Sequence, residues 1–222
     1  MSRAVDPPIA YAIRRSDRAR RVRVHVDPTG GVEVVLPRRA SERAAHAAVR
    51  ELTPWIERRV AEVARTRELV VARGATVPYL DETLTLVAEP GRTRVHRRGE
   101  TLLVPTGDHR PALERWYRRR ARAEVAPRLE RATALAGTRY AGLTIRGQRT
   151  RWASCSEGGA MSFNWRLLLA PAPVLDYVVW HEVCHLEVMD HSPRFWALLA
   201  GRCADHRRHA AWLRRNGATL VL

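Results

Sequence analysis

Lysine is missing altogether from this 222-residue chain, so all 39 basic side chains are arginine. Phenylalanine (2), methionine (3) and tyrosine (5) are scarce as well. GC-rich coding produces such a bias, because lysine codons are AT-rich and most arginine codons are not. That bias does not explain why Asp and Glu number only 23, which leaves a formal charge of +16. No apolar run approaches the ~18 residues of a membrane helix, so no membrane span is expected. The first ten residues carry Asp6, Pro7 and Pro8 where a signal peptide needs an unbroken apolar stretch. Cys155, Cys184 and Cys203 are odd in number and far apart, which excludes a disulfide framework. A soluble, cytoplasmic, globular protein is the expectation, long enough for one large domain or two small ones. Its oligomeric state is not fixed by the sequence.

What is present divides into a strand-rich part over 9–105 and a helical part over 108–222. Ile9, Tyr11 and Ile13 alternate with other residues, as do Val22, Val24 and Val26, then Val32, Val34 and Leu36. Period-two apolar spacing predicts half-buried strands, and Asp27-Pro28-Thr29-Gly30-Gly31 supplies a turn between the last two. A helix is predicted from Ser41, and a second opening at Thr53-Pro54 as cap and first residue. Leu84–Ala88, Val95 and Leu102–Val104 predict further strands. Asp108 is placed to cap a long helix ending near Leu135, buried through Leu113, Trp116, Val125 and Leu129. Its Trp116-Tyr117-Arg118-Arg119-Arg120 run reads as a solvated face rather than a surface for an anionic partner. Strands follow at Leu143–Gln148 and Met161–Leu167, and helices start near Pro173, Pro193 and His206. The class is α+β.

The segment that carries chemistry is His181-Glu182-Val183-Cys184-His185. Two histidines four apart share a helix face, so both imidazoles reach one metal ion. Glu182 projects near that face, where it can take a proton from a metal-bound water. Val174, Val178, Val179, Val183 and Leu186 bury this helix, a poor place for such polar groups unless something pairs them. Ser192-Pro193 starts a new helix, so the chain turns between His185 and Ser192, and His191 in that break offers a third ligand. Three protein ligands plus an open position suit a catalytic zinc site. Metzincins are excluded, because Val188 stands where they need glycine and no Met follows His191.

Neighbouring residues read mostly as structural. Cys184 points about 100° from its helix neighbours and reads as core; Cys155 reads as a structural thiol. Asp190 either orients a ligand imidazole or caps. Asp205 is expected to cap a surface helix start at His206, with His209 nearby, rather than to build a second metal site. Should that last helix cover the cleft, His206, His209, Tyr177 and Arg166 are rivals for stabilising an oxyanion. The Met161–Leu167 strand alternates apolar and polar residues, as either a cleft wall able to pair with an extended peptide or an ordinary half-buried strand.

The stretches Thr150-Arg151-Trp152-Ala153-Ser154-Cys155-Ser156, Asn164-Trp165-Arg166-Leu167, the H-E-V-C-H-L motif, His191-Ser192-Pro193 and Phe195-Trp196 together resemble the YgjP-like metallopeptidase family. That family is similar in its zincin motif to the SprT-like and WLM proteases, which are associated with proteins crosslinked to DNA. The resemblance extends over nearly the whole chain, as a single domain over 1–222. It implies a zincin-like fold, Zn2+ held by His181, His185 and His191, and Glu182 as catalytic acid/base. Two positions depart from the family's pattern, Ala153 for Gly and Asp190 for Asn.

The expected activity is therefore zinc-dependent hydrolysis of a peptide or protein substrate. A zinc phosphohydrolase acting on nucleotides or phosphodiesters is one alternative; a nucleic-acid-binding module with structural zinc is another. The basic residues cluster at Arg14–Arg23, Arg92–Arg98, Arg115–Arg122 and Arg202–Arg215, which suits DNA or another polyanion as an additional partner.

Overall fold

Alternating valines build the first sheet. In the computed structural model, which describes residues 9–27, 29–148 and 150–222, the chain forms two compact units, to residue 72 and from residue 73. The first contains β1 (Ala12–Ser16), β2 (Arg23–Val26) and β3 (Val32–Pro37). β3 lies in the middle, parallel to β1 and antiparallel to β2. Val32, Val34 and Leu36 bury one face of β3, while Glu33 on the other pairs with Arg14 at 3.0 Å. The β2–β3 turn is held by Asp27, whose Oδ1 accepts from the Thr29 and Gly31 amides at 2.7 and 3.0 Å. A Cβ on Gly31 would lie 2.6 Å from that carboxylate, so the turn requires glycine there. Asp6, Pro7, Pro8 and the Pro28 of this turn lie outside the described residues.

The expected pair of helices is one. Helix α1 runs unbroken from Glu42 to Arg73, with Pro54 inside it. Proline at an interior position withholds the amide owed to the carbonyl four residues earlier. Burial of Ala45, Val49 and Ile56 on both sides of Pro54 outweighs that loss. The Thr53 hydroxyl, expected to cap, instead donates back to the Val49 carbonyl at 2.9 Å, as a threonine within a helix does.

The second unit opens with β4 (Thr76–Tyr79), β5 (Glu82–Ala88), β6 (His96–Arg98) and β7 (Thr101–Val104), ordered β4-β5-β7-β6. β6 is therefore an edge strand. Helix α2 (Arg110–Ala136) starts where Asp108 Oδ1 accepts from the Arg110 amide at 3.2 Å, and stops at Gly137 in the left-handed region, φ 66°. Leu113, Trp116, Val125 and Leu129 are buried as expected, together with Tyr117. A three-stranded sheet follows, β8 (Gly142–Arg146), β9 (Ala153–Cys155) and β10 (Ala160–Asn164), ordered β8-β10-β9. The chain closes with α3 (Ala172–Cys184), α4 (Pro193–Arg202) and α5 (His206–Asn216).

Two expectations about the middle strand need correction. The strand expected to reach Leu167 ends at Asn164, and Trp165–Leu169 form a 3-10 turn. Asn164 makes that change: its carbonyl oxygen accepts from the Arg166 amide, and its Nδ2 donates to the Gln148 and Arg151 carbonyls. Nor is β10 half-buried. Met161, Ser162, Phe163 and Asn164 are all buried, and β10 is hydrogen-bonded on both sides, parallel to β8 and antiparallel to β9. It has no edge left for a peptide; β8 and β9 are the edge strands of this sheet. Among the described residues no helix is long and apolar enough to cross a membrane.

Replacing Pro54 with Ala restores an amide to the interior of α1. Urea denaturation of the variant should show the first unit stabilised by about 1–3 kcal/mol. Unchanged or lower stability would mean that the helix is built around the proline.

Candidate metal centre

Helix α3 is anchored before it reaches the polar cluster. Its first amide, on Ala172, donates to Asp81 Oδ1 at 3.2 Å, a cap supplied from the β4–β5 turn. Asp176 pairs with Arg128 of α2 at 3.0 Å. Val174, Leu175, Val178, Val179 and Val183 are buried around the helix. His181 and His185 then stand one turn apart, ring centroids 5.0 Å from each other.

The helix ends where the spacing of the motif requires it. The amides of Leu186, Glu187 and Val188 fold back onto the Val183 and Cys184 carbonyls, and the chain reverses to bring up His191. Ser192 and Pro193 then open α4, with Asp190 Oδ1 accepting from the Ser192 amide at 3.1 Å. Asp190 thus shapes the turn, with a lesser electrostatic interaction with His191. His191 Nε2 comes to 3.1 Å from His181 Nε2, and the three histidines can offer ligand atoms within 4.8 Å of one another. Nitrogens bound to one ion at ~2.0–2.1 Å in tetrahedral geometry lie roughly 3.3 Å apart, so this donor set fits a divalent metal. His185 Nδ1 lies 3.1 Å from the Val188 carbonyl; donating there frees Nε2 to face the cluster.

Phe195 is the common support. It is wholly buried, stacks on His185 at 4.5 Å and 26°, and meets His181 and His191 edge-on at 5.0 and 4.8 Å. Trp196 flanks the open side, its ring 5.6 Å from that of His191 and 41% exposed. The resemblance included both aromatics without assigning either a role. Nothing local in the sequence marks Phe195 as a support for the three rings, so only the fold reveals its use.

Electrostatics follow from burial. Desolvation, then the neighbouring His185 and His191, pull the His181 pKa down to about 4. Desolvation likewise lowers His185. Both rings are therefore neutral, the form that binds metal. Burial pushes the Glu182 carboxyl up to about 7, against the backbone N–H of Cys155, which donates to it and pulls the other way. Glu182 Oε2 and His181 Nδ1 are buried with no hydrogen-bond partner among the described residues.

The remaining residues sort themselves by position. Cys184 is buried, and its sulfur is 3.7 Å from an Arg202 nitrogen, a core contact and no ligand. Burial, and secondarily Glu182, push the Cys155 thiol up to about 11, so it is no ready nucleophile. Arg166 lies over the Trp165 ring at 4.6 Å. Helix α5 does pack on α3: His209 reaches the Tyr177 ring at 6.4 Å, and Tyr177 meets His181 edge-on at 6.0 Å. The surface cap expected at Asp205 is not made. Its side chain forms no cap, while His206 is buried, stacked on Trp196 and bonded through Nδ1 to the Cys203 carbonyl at 3.0 Å.

The family model described as YgjP-like, metallopeptidase domain, matches residues 20–216 of the chain. No curated protein matches the sequence. Among solved structures, the crystal structure of the metallopeptidase zymogen of Pyrococcus abyssi abylysin is 23% identical, the match covering 40% of this chain and 95% of that one with a TM-score of 0.35.

A raised carboxyl pKa has a stability consequence with a definite sign. Below pH 4.5 Glu182 is protonated in both the folded and the unfolded chain; as pH rises towards 7 only the unfolded chain gives up its proton freely, so folding loses stability. Metal-free Glu182→Gln should therefore match the parent near pH 4 and exceed it above pH 7, by at most about 3 kcal/mol. The buried histidines are common to both proteins and cancel. Thermal melts across pH 4–8 check this, and a difference that does not grow with pH would contradict it.

Proposed function

Because the chain belongs to the YgjP-like metallopeptidase family, and so is a metal-dependent peptidase, we propose that its metal is zinc, held by His181, His185 and His191, with Glu182 as the acid/base. The observation that carries this reading is the convergence of three imidazoles beside a buried carboxyl with a free oxygen. A divalent metal and a peptide or protein substrate come with the family. The match runs through both compact units, which supports a single functional domain over 1–222.

Zinc held by His181, His185 and His191 would supply Lewis acidity to water and to a scissile carbonyl. The chain's own part is to orient and to move a proton. The Val188 carbonyl sets the His185 tautomer, and Phe195 packs against all three rings. Glu182 Oε2 is free to accept the proton of the attacking water and pass it to the leaving amine. A carboxyl pushed to about 7 is well matched to giving and taking a proton near neutrality. It also accepts from the Cys155 amide of β9, an edge strand, so a peptide pairing with β9 would run past Glu182.

A structural zinc would be closed by a fourth protein ligand, and among the described residues the cluster holds three histidines. Cys184, the best fourth candidate in sequence, is committed to Arg202. The family match carries a peptidase and gives the phosphohydrolase alternative no support.

Purified protein should retain about one zinc per chain by elemental analysis, the stoichiometry of a single catalytic site. His191→Ala should lose most of it. Glu182→Gln should keep the metal yet cut casein turnover by at least about a thousandfold, the combined scale of proton transfer and positioning. Zinc retained in full by His191→Ala, or turnover retained by Glu182→Gln, would sink the assignment.

A further inference from the structure

Two of the four arginine clusters in the sequence, 92–98 and 115–122, are separated by the β7 strand and the start of α2, yet they line one cavity. It lies between β6 and α2, has a volume of about 550 Å3, and shares no residue with the metal centre. Val95 and Trp116 are buried and form its floor, while His96, Arg97, Arg119 and Arg120 form its walls. No carboxylate lines it.

The four wall residues are not equivalent. Arg97 and Arg120 flank the Tyr79 ring, 5.2 and 5.9 Å from its centroid. Arg97 is paired with Glu82, and Arg120 with Glu124 at 3.2 Å, so both are fixed and partly neutralised. Arg119 is exposed and has no ion pair among the described residues. The same holds for Arg115, one helical turn earlier, although like charges four apart disfavour a helix. Arg94 and Arg98 are exposed as well but do not line the cavity; Arg98 lies on the opposite face of β6 from Arg97.

We propose that this groove holds the phosphate groups of a nucleic-acid strand, bound through its backbone without reading its sequence. Guanidinium forks match phosphate oxygens in pairs, and an exposed guanidinium plane also stacks on a base. A single small anion would use one or two of these groups; Arg97 and Arg120 in the groove, continued by Arg119 and Arg115 one turn apart on α2, suit a repeating one. Charged residues on an open strand such as β6 also discourage sheet-to-sheet association, which accounts for His96 and Arg98. It does not account for Arg115 and Arg119, which lie on a helix. The inference is independent of the peptidase reading, since the groove and the metal centre have no residue in common.

The test measures binding of a fluorescein-labelled single-stranded 20-nucleotide oligomer to the full zinc-loaded chain by anisotropy, between 50 and 300 mM salt. Three to four phosphate contacts give a log–log salt slope of about −2 to −3. Arg115→Glu/Arg119→Glu should weaken binding at least about tenfold. Arg20→Glu/Arg21→Glu, which changes the net charge equally at another cluster, should stay within about twofold; circular dichroism verifies that both variants fold. Equal losses in the two double variants would overturn the groove and leave only general charge. Heparin binding as tightly as the oligomer would overturn nucleic acid as the ligand. Free tripolyphosphate competing at equal phosphate concentration would replace the strand with a small oligophosphate.

Discussion

Phe195 is the contact on which the candidate centre depends. Three imidazoles with converging lone pairs have little reason to stay together, since nitrogen lone pairs repel and each ring has its own rotamers. A wholly buried phenyl ring that stacks on one and meets the other two edge-on gives all three an apolar wall. Stacked and edge-on aromatic contacts are worth about 0.5–1.5 kcal/mol each beyond simple burial. Much of the surrounding architecture serves to bring Phe195 there: α3 must stop at Cys184, the 186–190 turn must reverse the chain, and α4 must start at Pro193. The cluster is a product of that reversal as much as of the motif.

The carboxyl beside the cluster shows a second dependence, between the sheet and the helix. Glu182 is buried in α3 and accepts a hydrogen bond from a main-chain amide of β9. Side-chain identity at Cys155 is therefore secondary to the position of its backbone. Position 153 likewise places no demand for glycine on the chain. Ala153 lies in extended β9, and the only non-glycine residue with positive φ in the described chain is Leu80.

The convergence of His181, His185 and His191 was legible in the sequence because its signals are local. Paired histidines at helical spacing, a proline start downstream and a histidine in the gap are all contained within His181–Pro193. The helix starts at Asp108, Pro173 and Pro193 were legible for the same reason. What was not legible depends on partners distant in sequence. Pro54 looks like a helix start locally, but flanking buried residues hold α1 together through it. Met161–Leu167 alternates like a half-exposed strand, but β8 and β9 cover both of its edges and Asn164 turns the chain early. His206 reads as a surface residue until the Trp196 ring is placed against it. Asp81, which caps α3 from ninety-one residues away, has no local signature at all.

At the candidate centre His181 Nδ1 and Glu182 Oε2 are buried without partners among the described residues, and leaving such atoms unpaired costs folding free energy. A divalent ion drawn in by the neutral imidazoles would favour the ionised carboxyl electrostatically, relieving part of that cost. Folding and metal availability are then thermodynamically linked. A free-metal level a thousandfold above the dissociation constant would add about 4 kcal/mol to stability by mass action alone. The melting temperature of this chain would thus act as a gauge of the metal buffering around it, and starvation for metal would shorten the protein's lifetime as well as silence it.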